Sequence, residues 1–250
     1  MASEYRLITI PPSHYCEKAR WALDHGGVPF REEGHPPLLH RRAVKSAGGG
    51  HSTPVLVAGE RVLPDSTDIL EFVHLEHGEG WQPYPLDSQL RIEAEELEDL
   101  VDTRLGPHTR RLAYYYLMRD NRLFLDTVLA GVGGVERVIF RALSPAIKKL
   151  MRVGMKIDDA GAERSRNSIR AIFEAVGVLL ADGRSYLVGK SFGAADLSFA
   201  ALAAPVLLPR NYGSPLPSDD QIPPDFLRQI EEFRSSPAGG FALRIYRDHR

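Results

Sequence analysis

At 250 residues the chain is long enough for two modest domains, each with its own hydrophobic core. An apolar share of 43% with 26% charged residues is an ordinary globular balance, and a formal net charge of -2 excludes electrostatic capture of nucleic acid as the main activity. A single cysteine, Cys16, excludes an intramolecular disulfide, a CxxC redox pair and a cysteine-rich zinc site, so no metal is expected.

The N-terminal stretch carries Glu4 and Arg6 inside its apolar run and has no signal-peptide core. The most apolar stretch, residues 199–208, is too short to span a bilayer and contains Pro205. A cytoplasmic chain without an integral membrane segment is expected.

Residues 5–10 (YRLITI) are β-prone and stop at Pro11-Pro12. Residues 13–25 read as a helix with Ser13 as N-cap and Gly26-Gly27 as its end. A second strand over 28–33 and a polar helix reaching Ser46 follow. Residues 55–58 and 61–63 flank Gly59-Glu60 as a hairpin, and residues 65–77 form a helix with Ile69, Leu70, Phe72 and Val73 on one side. Strands joined through helices are expected to run parallel, and the final pair antiparallel.

Beyond Gly78-Glu79-Gly80, Pro83 and Pro85 the pattern becomes helical. Ala94, Leu97, Val101 and Leu105 form one stripe; Ile169, Ile172, Phe173, Val176 and Leu180 form another. The expected domains are residues 1–80 and 87–250, linked near 79–86, with a Pro-rich stretch over 205–224 and a final helix over 225–234.

Three motifs carry chemistry. In residues 13–20 (SHYCEKAR) a hydroxyl stands at a helix N-terminus, where converging N–H groups and the helix dipole favour an anion. Such a hydroxyl can stabilise a thiolate by donating a hydrogen bond, although as a base it is too weak to deprotonate the thiol. On the local sequence alone, a plain N-cap is the better reading of Ser13. Thr53-Pro54 stands before a strand; a cis bond there would offer the Thr53 backbone to an extended peptide, whereas a trans turn is the commoner state. Asp65-Ser66 opens a helix and could hold an amine and a carboxylate together, or only cap the helix.

In this order and spacing the three motifs resemble those of the glutathione transferase superfamily, in its serine-type classes. The resemblance implies a thioredoxin-like α/β N-terminal domain followed by an all-α helical bundle. It also implies reduced glutathione as co-substrate, catalysis by Ser13, and glutathione binding by Thr53, Pro54, Asp65 and Ser66. The implied activity is conjugation of glutathione to a small hydrophobic electrophile, a detoxification chemistry, in a cytoplasmic homodimer. Residues 189–197 (GKSFGAADL) resemble the family's buried helix start, with Gly193 where Ser or Thr is usual. Asp65 stands where Glu is commoner. Residues 119–156 and the ending from Pro237 to Tyr246 match no class pattern.

Several weaker features remain. Cys16, one helical turn after Ser13, is either a buried structural thiol or the centre of a thiol-disulfide or deglutathionylating activity. A non-catalytic glutathione-fold binding protein is the third reading. Arg110, Tyr114 and Tyr115 could contact a flat or anionic co-substrate, or serve packing. Asp99 and Asp102 could reach an amine, with a solvated face as the default. Residues 135–156 mix apolar and basic side chains; such a helix can lie on a membrane surface or cap a ligand site, and an ordinary packed helix with a charged face is the expectation.

Overall fold

The computed structural model describes residues 5–77 and 80–250; Glu4, Gly78 and Glu79 lie outside the described residues. The chain divides into two compact units. The first comprises the described residues of Met1–Pro83 with Leu125–Lys149 and Gly213–Pro215; the second comprises Tyr84–Phe124, Leu150–Tyr212 and Leu216–Arg250. The sequence-based boundary assigned everything from 87 onward to one helical domain, whereas two later segments group with the first unit.

The first unit begins with β1 (Tyr5–Thr9), α1 (His14–His25), β2 (Phe30–Gly34) and α2 (His40–Ser46). It continues with β3 (Val55–Ala58), β4 (Arg61–Leu63) and α3 (Ser66–His77). The sheet order is β2-β1-β3-β4. β1 and β2 run parallel, with Tyr5 opposite Phe30, while β3 is antiparallel to both β1 and β4. This departs from the expectation of parallel strands wherever a helix intervenes: the chain leaves β2, crosses through α2 and returns along β1 in the opposite direction. Ile8, Val44 and Val55 form a buried cluster between sheet and α2.

α2 is shorter than the sequence suggests. Pro36 and Pro37 cannot donate backbone hydrogen bonds, and Leu38 takes a positive φ of 70°, so helix begins only at His40. The β3–β4 hairpin turns at Gly59, whose φ of 65° needs no Cβ penalty.

The later helices are α4 (Ser88–Leu100), α5 (Gly106–Leu117), α6 (Asn121–Val128) and α7 (Gly134–Met155). They are followed by α8 (Asp159–Leu179), α9 (Ala194–Ala203), α10 (Pro224–Ser235) and α11 (Pro237–His249). A π-helical segment, Val101–Leu105, joins α4 to α5. Every residue of α9 is buried, which makes it the centre of the second unit.

Two expectations fail here. The helix over 225–234 is not the last, because α11 follows directly. Ser236 caps α11 by accepting the Gly239 N–H, and a Cβ at Gly239 would lie 1.9 Å from the Phe233 carbonyl oxygen. Gly239 therefore serves the close approach of α11 to the end of α10. The second failure is α7. Phe140, Ile147 and Met151 are buried, but Val135, Val138, Ile139, Leu143, Leu150 and Val153 are exposed.

Candidate functional site

The β1–α1 turn follows from its sequence. Pro11 and Pro12 end the strand, and the Ser13 N–H donates to the Ile10 carbonyl at 2.8 Å. Ser13 holds the N-cap position in extended conformation (φ -73°, ψ 127°), and its carbonyl accepts the Glu17 N–H at 2.9 Å. Its side chain makes no capping hydrogen bond. The hydroxyl instead lies within hydrogen-bonding reach of the Cys16 sulfur, as does the Thr53 side chain. Two residues forty positions apart in sequence thus meet at one sulfur.

Cys16 is fully buried. Burial pushes its thiol pKa up, against the lowering effect of hydrogen bonds from Thr53, Ile10 and Ser13 and of the nearby Arg20 charge. A thiol held in its neutral form and away from solvent is a poor nucleophile.

The Thr53–Pro54 bond is cis. Thr53 precedes β3, whose ladder begins at Val55 opposite Ile8, and its backbone N–H and C=O make no hydrogen bond among the described residues. Pro54 is buried. At the start of α3, exposed Asp65 is partly committed: its carboxylate accepts the Thr67 N–H at 2.9 Å, and its carbonyl accepts the Ile69 N–H. Ser66 is buried at 1% exposure, and its hydroxyl has no partner among the described residues.

In the second unit, Arg110, Tyr114 and Tyr115 all lie on α5 and are each half-buried. Tyr115 is engaged: its hydroxyl donates to Asp159 at 2.7 Å, which raises its pKa, and Arg119 sits 4.3 Å over its ring. The Nε–H of Arg110 is buried without an acceptor among the described residues. The adjacent Arg111 donates to the Met155 carbonyl and to Ser165, while burial and the charges of Arg111, Arg104 and Arg164 lower the pKa of His108. Asp99 is exposed and Asp102 half-buried.

Residues 7–81 match the sequence model of the glutathione S-transferase N-terminal domain. Solved structures share the fold along nearly the whole chain. The beta-etherase LigF from Sphingobium sp. strain SYK-6 matches with a TM-score of 0.62 at 15% identity, over 98% of this chain and 99% of that one. A glutathione S-transferase of Methylobacterium radiotolerans, in complex with glutathione sulfonate, matches at 0.54 and 20% identity over 96% and 95%. One from Methylobacillus flagellatus with glutathione bound matches at 0.55 and 17% over 96% and 98%. Over residues 7–81 the chain is similar to the glutathione S-transferase N-terminal domain, and its fold is that of the solved glutathione S-transferases. No curated protein matches its sequence.

The sequence-based reading missed a set of buried charges on α1. Glu17 and Arg20 are both buried and pair at 2.5 Å. Arg20 also donates to both Glu32 carboxylate oxygens, at 3.0 and 2.6 Å, and to the Pro11 carbonyl at 3.2 Å. Glu17 accepts the Gly213 N–H at 3.1 Å. The pair thus ties the turn before Ser13 to β2 and to Gly213. Lys18, wholly buried, donates to the Thr67 hydroxyl at 3.1 Å and so links α1 to the start of α3. Charged residues at consecutive positions look solvated in a sequence; the signal that could have found them is the Glu17–Arg20 spacing of one helical turn.

The segment over 125–149 also supports this turn. A Cβ at Gly34 would lie 2.7 Å from the Pro11 side chain and 2.9 Å from the Gly131 carbonyl, and His35 pairs with Glu136 at 2.8 Å.

Proposed function

We propose that the protein is an enzyme that binds reduced glutathione in its first unit and adds the thiolate to a hydrophobic electrophile. The observation that carries this reading is the state of Ser13: it occupies the N-cap position yet spends its hydroxyl on no helix N–H. The hydroxyl, which lies within reach of the Cys16 sulfur, can turn to donate to the sulfur of a bound ligand, and the α1 N-terminus adds a positive end beside it. A thiolate is favoured there over the thiol, the proton passing to solvent, because both terms stabilise only the charged form. The sulfur lone pair then forms the new bond to the electrophilic carbon, which either opens a π bond to a carbanion protonated by solvent or, in an aryl halide, loses its halogen as the halide ion; proximity supplies further rate.

Glutathione is a tripeptide with an amino-acid end, and the uncommitted groups of the first unit suit it. The free Thr53 backbone N–H and C=O offer antiparallel pairing to its cysteinyl segment. The Ser66 hydroxyl and the α3 N-terminus favour its γ-glutamyl carboxylate, and Asp65 its amine. On the co-substrate side, Arg110 and Tyr114 are the candidate contacts, since Tyr115 is already bound to Asp159. Structures of this fold carrying glutathione or its sulfonate support the choice of co-substrate. A Cys16-based activity is disfavoured by the burial of that thiol.

The test is Ser13→Ala assayed with glutathione and an activated aryl halide. Turnover is expected to fall about tenfold or more, the loss of one pKa unit of thiolate stabilisation, with glutathione affinity nearly unchanged. Unchanged turnover would remove Ser13 from the mechanism, and loss of glutathione binding in the parent protein would remove the function.

A further inference from the structure

Helix α7 carries apolar side chains on two sides. Phe140, Ser144, Ile147 and Met151 face inward and are buried. On the outside, Val135, Ile139, Leu143, Leu150 and Val153 recur at helical spacing and stand 42–75% exposed, with Ala142 and Ala146 filling the gaps between them. At 3.6 residues per turn these seven positions share one strip uninterrupted by a charge. The cations Arg137, Arg141, Lys148, Lys149 and Arg152 all fall on the flank between the outer strip and the buried side. Glu136 is the one carboxylate of the helix, and it is committed to His35. The helix remains continuous through Pro145 because the Ser144 hydroxyl donates to the Arg141 carbonyl, the acceptor that proline leaves without its N–H.

We propose that the outer side of α7 docks on an anionic lipid surface. An exposed apolar strip bordered by cations is what such a surface takes up: the strip enters the acyl boundary and the flank meets the headgroup phosphates. Charge decides between this occupant and a second copy of the chain. Two α7 helices facing each other would align five cations on each side with no uncommitted carboxylate on either helix to meet them. The chain's overall charge of -2 does not oppose the docking, since its other charges act only within about 10 Å through salt. The helix lies on the surface and does not cross it, as no described helix is long and apolar enough to span. This inference is independent of the glutathione site.

Co-sedimentation of the full chain with phosphatidylcholine vesicles, with and without roughly one-third phosphatidylglycerol, tests it. Binding is expected only with the anionic lipid, weakened by salt. Arg141→Gln and Lys149→Gln, both exposed, should each weaken partitioning about fivefold. The double variant Leu143→Gln/Leu150→Gln, which leaves every charge in place, should abolish it with the helical circular dichroism intact. No sedimentation with anionic vesicles overturns the proposal. So does retained binding by the double variant, which would mean attraction by charge alone. A parent protein that ignores vesicles but falls from dimer to monomer on the Leu143→Gln/Leu150→Gln change would give the face to a second copy instead.

Discussion

The N-termini of α1 and α9 begin in the same way and end in opposite uses. Both have an extended residue at the N-cap, Ser13 in one and Gly193 in the other. At α9 the one carboxylate of the first turn is spent on the fold. Asp196, 1% exposed, accepts the Leu187 N–H at 2.7 Å and the Gly193 N–H at 3.0 Å, while Gly193 has no side chain to return the bond. At α1 the capping side chain is present and makes no cap, and the charges that hold the turn lie one turn further on, in Glu17 and Arg20. A helix start can therefore be secured from within, leaving its cap free for a ligand. Position in a motif does not tell which of the two uses a residue serves; its hydrogen bonds do.

The largest expected effect is at Glu17. Glu17→Leu leaves the Gly213 N–H without its acceptor and takes one of two carboxylates from buried Arg20, so unfolding free energy should drop by about 3–5 kcal/mol in denaturant melts. If the loss were within about 0.5 kcal/mol, α1 would not be held from its inner face, and the contrast with α9 would break.

Next comes Asp196. Asp196→Ala strips two buried N–H groups of their acceptor, at about 1–3 kcal/mol each. Turnover per folded molecule should stay unchanged. The same residue gives a pH signature. Burial raises its pKa to about 7, against the lowering effect of its backbone hydrogen bonds, so the folded chain holds this proton more tightly than the unfolded chain does. The stability from this group is fully present below the unfolded carboxyl pKa, falls as pH rises toward about 7, and is flat above it. The gap in unfolding free energy between parent and Asp196→Ala should hence be wider near about pH 5 than near about pH 8. An equal gap at both would mean that the carboxylate is ionised throughout.

Much of the first unit is legible in its sequence, for local reasons. The hairpin at Gly59-Glu60 and the helix after Ser13 announce themselves through turn and cap residues, and the three-motif resemblance supplies the fold. What escapes is set by tertiary contact. The direction of β3 depends on where α2 delivers the chain. α11 hides behind Gly239-Gly240, of which Gly239 serves a close approach to Phe233. The burial of Lys18, Glu17 and Arg20 shows only once their partners Thr67, Gly213 and Glu32 are seen. The capping box at α9, incomplete by sequence because Gly193 lacks an oxygen, is also incomplete in space; only the Asp196 half is made. For α7 the pattern of apolar and basic residues is plain, but which apolar side chains stay outside is decided by how much of the helix its neighbours cover.

Ser13 should show the smallest effect on folding and the most informative one on chemistry. Its substitution to alanine costs no capping hydrogen bond, so the stability change should stay within about 0.5 kcal/mol. The direct measurement is the pH profile of kcat/KM for parent and Ser13→Ala with glutathione and one electrophile. The acidic limb, which reports the sulfur that reacts, is expected to move up by about one pH unit in the variant, equivalent to about 1.4 kcal/mol of lost thiolate stabilisation. Superimposable profiles with equal rates would contradict the assignment and leave the Ser13 hydroxyl with only the Cys16 sulfur as its partner.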